Sequence, residues 1–170
     1  LVGATAALAF RGTLVARIDA YFFRDPVAPD TVLVEALAVC REAASEAALA
    51  ANIERLLCER LHATSAAFLS RDAKTGTFGS RHGDITPLRA DSALLRVLNA
   101  SDLPLLVTDT HEHAIVNRLD EWTRQWLPTT GVALLTPVRG VDAQLLGFVA
   151  LGPKRSELDY SRAEHQVLAA

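Results

Sequence analysis

Residues Gly131–Ala170 read GVALLTPVRGVDAQLLGFVALGPKRSELDYSRAEHQVLAA, and their pattern decides the fold class. Val132–Val138 is apolar and β-rich, Arg139–Gln144 supplies Gly and Asp as turn chemistry, and Leu145–Leu151 is a second apolar run. Gly152-Pro153 ends that second strand, because proline has no N–H to give a ladder. Ser161 with Glu164 three residues later forms a capping box, so a helix begins there. Gly147, inside the second strand, marks a close approach by another backbone or a ligand. The segment therefore reads as strand, turn, strand, polar loop and helix. Elements alone do not identify a function, which has to be argued from a site.

The run Leu145–Ala170, LLGFVALGPKRSELDYSRAEHQVLAA, resembles the closing strand and last helix of a GAF domain, the small-ligand sensory module of signalling proteins. The features shared are an apolar strand ending in Leu-Gly, a Lys-Arg-Ser loop, and Tyr-Ser before the helix. The resemblance implies an α+β fold, a GAF-like central antiparallel sheet flanked by helices, here with an N-terminal helical extension.

Composition narrows the function classes. Half of the 170 residues are apolar, enough for a folded core and against disorder. A net charge of −3 offers no case for nucleic acid, whose binding needs clustered Lys and Arg. The two cysteines, Cys40 and Cys58, fall in helical sequence, and we expect them to be reduced, buried small hydrophobes. No Cys-x-x-Cys or His/Cys cluster has zinc spacing. The chain contains no Met, which points to a piece of a longer protein.

Leu1–Phe10, LVGATAALAF, is apolar and is followed by Arg11, Arg17 and Arg24. It is too short to cross a bilayer, which takes about 20 residues. Two readings stay open: the cytoplasmic end of a membrane helix, with the arginines obeying the positive-inside rule, or a buried or dimer-forming helix. Leu1, Leu8, Val15 and Phe22 recur at coiled-coil spacing, although Arg11 falls where a seam needs an apolar residue. Arg17–Cys40, RIDAYFFRDPVAPDTVLVEALAVC, resembles the connector that precedes a GAF domain in membrane-bound bacterial sensor kinases and phosphatases. Pro26–Pro29 departs from the tyrosine-containing form of that connector.

Asp30 is the expected N-cap of the next helix. Leu33, Leu37, Cys40 and Ala44 make an apolar stripe at helical spacing, which Ser45-Glu46 interrupts. Leu49, Ile53, Leu56, Leu57 and Leu61 resume it. We read the stripe as packing on the sheet, with a dimer seam as the alternative for its earlier half. Ser65–Arg71 and Thr75–His82 flank the turn cluster Asp72–Gly76 and form a hairpin. Ser92–Asn99 is a short helix, and Leu103–Thr108 is an edge strand entered through Pro104. His113–Leu127 is an amphipathic helix with Ile115, Leu119, Trp122 and Trp126 on one face, stopped by Pro128. This order matches helices packed on the faces of a sheet, and it is also the GAF order. The domain expectation is an N-terminal helical connector over residues 1–47 and a GAF-like sensory domain over residues 48–170.

Candidate chemistry is sparse. Asp109, His111, Glu112 and His113 form the densest polar cluster, but no third histidine is near in sequence, and no metal site is expected. Trp122 and Trp126 lie one turn apart; they either line a cavity or pack on the sheet. Asn117-Arg118 and Asp120-Glu121 are too closely spaced, and lack the Phe, for the signature of cyclic-nucleotide-binding GAF domains. Cys40 and Cys58 lie in leading helices, which disfavours bilin attachment and sulfoxide-reducing chemistry. His165, in AEHQVLA, lacks the residues that follow a phospho-accepting histidine. No nucleophile elbow, Walker loop or kinase signature occurs.

The resemblance thus implies a non-catalytic sensory or regulatory domain of a two-component signalling protein, holding no cofactor and taking an unidentified small ligand at most. Its cavity candidates are Phe78, Ser80, His82, Leu106 and Trp122. Further expectations are a homodimer through the N-terminal helices, an effector in the same chain (a histidine kinase first), and a cytoplasmic location beside an inner-membrane anchor preceding Leu1. The alternative is a dimerisation spacer without a ligand, in a serine phosphatase or cyclase. A standalone enzyme is the weakest reading.

Overall fold

Ser45 divides the leading helical sequence in two. Its backbone is extended (φ −156°, ψ 162°) and its hydroxyl accepts a hydrogen bond from the Ala48 N–H at 3.1 Å, which satisfies a donor that a helix start leaves orphaned. Helix α1 (Pro29–Glu42) therefore ends before it and α2 (Glu46–Arg60) begins after it. This is a computed structural model, and it describes residues 29–80, 85–107 and 119–169. The expectations for Leu1–Phe10 and most of the connector lie outside the described residues. Among those described, no helix is long and apolar enough to cross a membrane.

After α2 come β1 (Ala66–Arg71), β2 (Phe78–Ser80), α3 (Ala93–Ala100), β3 (Leu105–Leu106), α4 (Glu121–Thr130), β4 (Leu134–Arg139), β5 (Leu145–Leu151) and α5 (Arg162–Ala169). The strands form one antiparallel sheet in the order β2-β1-β5-β4-β3. The C-terminal hairpin occupies its centre, and β3 is the edge strand that Pro104 forecast, though only two residues long. Gly147 is the close-approach position expected from sequence. A Cβ there would sit 2.4 Å from the Leu69 carbonyl oxygen and 3.1 Å from the Phe68 ring, so a strand backbone, not a ligand, makes the demand.

Alternation along the strands divides the core between the two sheet faces. Leu69, Phe78, Leu88, Leu94, Leu98, Trp126, Leu135 and Phe148 fill the face under α3 and α4. Leu57, Leu61, Ala63, Leu134, Val149, Leu151 and Tyr160 fill the opposite face, under α2 and α5. Helix α1 packs on α2 and α5 as an outer layer.

Three local expectations are corrected. First, the stripe Leu33, Leu37, Cys40 and Ala44 does not pack on the sheet. Val32 is buried and Ala36, Val39 and Ala43 are half-buried, so the inward face of α1 lies one residue earlier in phase. The sequence of α1 is apolar on both flanks, and its periodicity cannot choose between them. A bidentate Arg60–Glu35 pair ties α1 to α2. Asp30 lies in the first helical turn and does not cap it. Second, neither cysteine is in the core: Cys40 is exposed, and Cys58 is half-buried enough that desolvation pushes its thiol pKa up.

Third, the helix read as His113–Leu127 begins at Glu121, with Asp120 as its cap, and continues past Pro128 to Thr130. An internal proline removes one backbone donor. Beyond it the Thr129 hydroxyl donates to the Trp126 carbonyl at 2.8 Å and the Thr130 hydroxyl to the Leu127 carbonyl at 2.9 Å, serving the last carbonyls of the helix. Gly131, left-handed at φ 63°, then closes the helix.

Candidate functional site

Among the described residues, three hollows at the margins of the hydrophobic core each contain one of the residues expected to line a cavity. Phe78 is buried under α3, its ring stacked on Phe148 with centroids 6.1 Å apart. It forms part of the floor of a cleft of about 500 Å³ walled by Arg71, Arg96, Asn99, Asp142 and Gln144. Ser80 lies across from Leu69 at the far edge of the sheet. Leu106 is on the opposite edge strand and packs toward the other face. It borders a groove of about 420 Å³ with Pro153, Leu158 and Tyr160. Trp122 is 40% exposed, in a hollow of about 390 Å³ between the starts of α3 and α4. His82 lies outside the described residues, as does the Asp109–His113 cluster. Phe78, Leu106 and Trp122 are thus not gathered around one cavity.

The tryptophans separate for a physical reason. Trp126 is 3% exposed and its indole N–H donates to the Thr86 carbonyl at 2.7 Å, so it is a core residue with its polar atom satisfied. Trp122, four residues earlier, is left outside the packed face.

The Trp122 hollow already contains its own anion. Asp120 Oδ1 accepts from the Ala93 N–H at 3.3 Å and the Thr123 hydroxyl at 2.7 Å, while Oδ2 accepts from the Thr123 N–H at 3.2 Å. One carboxylate therefore caps α4 and also reaches the start of α3. The Thr123 hydroxyl, aided by these backbone donors, holds the Asp120 carboxyl below the usual carboxylate range.

The Leu106 groove is bounded by the β5–α5 loop, which is fastened at three points. The Tyr160 hydroxyl donates to the Gly152 carbonyl at 2.6 Å, and burial pushes its pKa well up. Glu164 accepts from the Ser161 N–H at 2.6 Å, and the Ser161 hydroxyl accepts from the Glu164 N–H at 3.3 Å, completing the capping box. The Lys154 ammonium donates to the same carboxylate at 2.9 Å, with both side chains largely buried. This polar set is structural: each group is already paired. His165 lies half-buried on α5.

The Phe78 cleft differs. The side chains of Arg71 and Arg96 make no hydrogen bond or salt bridge among the described residues. The opposite end of α3 is occupied by a third arginine. Arg139 donates to the carbonyls of Leu98, Asn99 and Ser101 at 2.8–3.1 Å and to Ala143 at 2.8 Å. Its Nε lies 3.1 Å from Asp102 Oδ1, an ion-pair distance without an aligned hydrogen bond. A cation there satisfies α3's last carbonyls and ties the β4–β5 turn, and so the cleft wall, to the helix. Sequence reasoning passed over Arg71 and Arg96. The available signals were Arg71's two-residue offset from core Leu69 and the single charge in ALLRVLNA. No group of His, Cys, Asp and Glu among the described residues could hold a metal.

No family model matches the sequence, and no curated protein matches it. Solved structures do resemble the fold. The chromophore-binding domain of Stigmatella aurantiaca phytochrome P1 matches with a TM-score of 0.56 at 11% identity, over 84% of this chain and 56% of that one. A variant of the Stigmatella aurantiaca bacteriophytochrome chromophore-binding domain matches with a TM-score of 0.57, also at 11% identity, over 85% and 57%. A domain of a two-component sensor histidine kinase protein from Sinorhizobium meliloti aligns over 74% of this chain and 86% of its own, at 13% identity with a TM-score of 0.48. The chain spans just over half the length of the phytochrome structures. At these identities the likeness is one of architecture, and that architecture is a GAF-like α+β fold.

Proposed function

We propose that the chain is a non-catalytic sensory or regulatory module of a two-component signalling protein, acting as a parallel homodimer through α1. The observation that supports this most is the outward stripe of α1. Leu37 and Cys40 are exposed on α1, and with half-buried Leu33 and with Ala44, just past the helix end, they follow the 4-3-4 spacing of a coiled-coil seam. Val34 and Leu37 are 65% and 56% exposed. A helix that is apolar on both sides is normally covered on both sides, and the described residues cover only one. Since α1 touches both α2 and α5, a change in its pairing would reach the C-terminal helix. Signal transfer is then a population shift between two packings of these helices.

In this reading the effector, a histidine kinase, belongs to the same protein, and residues 1–10 end a helix of the inner membrane, with the module on the cytoplasmic side. The input is a small ligand or a movement passed from the membrane segment. The GAF-like fold supports the assignment to signalling, and the resemblance of Arg17–Cys40 to a connector supports the membrane link. The ligand-free spacer is the second reading; it shares the dimer and omits the input. Solution mass of the chain and of Leu37→Glu tests the shared element. Wild type should run as a dimer of about twice 18.3 kDa and the variant as a folded monomer, whereas a wild-type monomer would refute it.

A further inference from the structure

The cleft under α3 shares Arg96 with the Trp122 hollow, but where that hollow adds Arg89, already paired with Asp91, this one adds Arg71, which no carboxylate holds. Its floor is apolar, made by Phe78, Leu95 and Leu145, with Phe148 stacked behind Phe78. Its rim carries two guanidinium groups from different elements. Arg71 ends β1 directly opposite Phe78 and on the same sheet face as Leu69. Arg96 projects from the exposed side of α3, one residue after buried Leu95. Neither is hydrogen-bonded to a carboxylate: Asp91 is held by the Arg89 guanidinium, and Arg96 adds only a weaker charge interaction with it. Asn99 and Gln144 add amide groups, and Asp142 on the turn is the rim's acid. The volume of about 500 Å³ falls within the range of small-molecule sites, and the lining is shared about evenly between polar and apolar groups.

We infer that this cleft binds a small organic carboxylate with an apolar body, its carboxylate between Arg71 and Arg96 and its body on Phe78, Leu95 and Leu145. Arginine suits a carboxylate because its planar fork donates two parallel hydrogen bonds. A compact inorganic anion would leave the apolar floor unused, and a neutral aromatic would leave both guanidiniums unanswered. Asp142 disfavours a dianion of the same shape. As the input of a sensor, the cleft rests on the reading above; as a binding site, it does not.

The experiment is a titration of the isotope-labelled chain with phenylacetate, followed by amide NMR, with benzyl alcohol and inorganic phosphate as controls. Saturable shifts should centre on Arg71, Phe78, Leu95–Asn99 and Gln144–Leu145. The double variant Arg71→Gln/Arg96→Gln should bind about tenfold or more weakly, as loss of a charge-assisted pair requires. Lysine at both positions should restore part of the affinity. An unchanged spectrum elsewhere shows that the variants fold. The inference fails if phenylacetate causes no shifts up to about 10 mM, well above a millimolar dissociation constant. It fails equally if the shifts centre on Leu106 and Tyr160, if the double variant binds as well as wild type, or if either control binds as tightly. None of these outcomes depends on dimerisation, so the α1 seam stands or falls separately.

Discussion

The two faces of the sheet are closed by different means. Under α3 and α4 the larger cluster is apolar, with leucines from both helices meeting Phe78, Leu135 and Phe148, and the polar ties sit at its margins: Trp126 to the Thr86 carbonyl, Asp120 between α4 and α3, and Arg139 on the last carbonyls of α3. Under α2 and α5 the apolar cluster is smaller and longer polar side chains complete it. Glu54 accepts from the Phe68 N–H at 2.7 Å, Lys154 pairs with Glu164, and Tyr160 reaches the Gly152 carbonyl. Apolar packing is non-directional and tolerates sliding; hydrogen-bonded ion pairs fix a geometry. On the second face these directional contacts fasten α2 to β1 and α5 to the loop after β5, which suits the proposed coupling of α1 to α5.

Substitutions sharpen this contrast. Phe148→Ala should have the largest effect, a loss of about 3–5 kcal/mol, because the ring is fully buried against Phe78; denaturant unfolding measures it. Lys154→Met should cost about 3 kcal/mol by leaving the buried Glu164 carboxylate without its cation. Amide exchange should then rise in α5 before it rises in α3. Equal loosening of both faces would break the contrast. Asp120→Asn should have the smallest effect and should depend on pH. Because the folded-state pKa of Asp120 is depressed, its stabilising contribution is present above the unfolded value of about 3.9 and is lost as pH falls through the folded one. The wild-type advantage over the variant should accordingly shrink below about pH 4.

The C-terminal third was legible because each of its signals is local. The Ser161/Glu164 box, Gly152-Pro153 and the turn after Arg139 act within a few residues, and each lies where it was expected. The edge position of β3 followed from Pro104 in the same way. The α1 stripe was misread because VLVEALAVC is apolar on two flanks, and only the packing of α2 and α5 selects the inward one. Trp122 and Trp126 looked equivalent by spacing; the helix start at Glu121 and the Thr86 carbonyl distinguish them. Arg71 and Arg96 could not be paired from sequence, because the cleft exists only once β1 and α3 lie on the same sheet face.

Cross-linking at Cys40 tests the central claim most directly. In the full chain with Cys58→Ser, a parallel seam brings the two Cys40 side chains together, so mild oxidation should give a disulfide-linked dimer in high yield. Moving the thiol one position, with Cys40→Ser and Val39→Cys, turns it toward the module's own core and should abolish the cross-link. A monomer that does not cross-link at Cys40, or one that links equally well from position 39, would contradict the account.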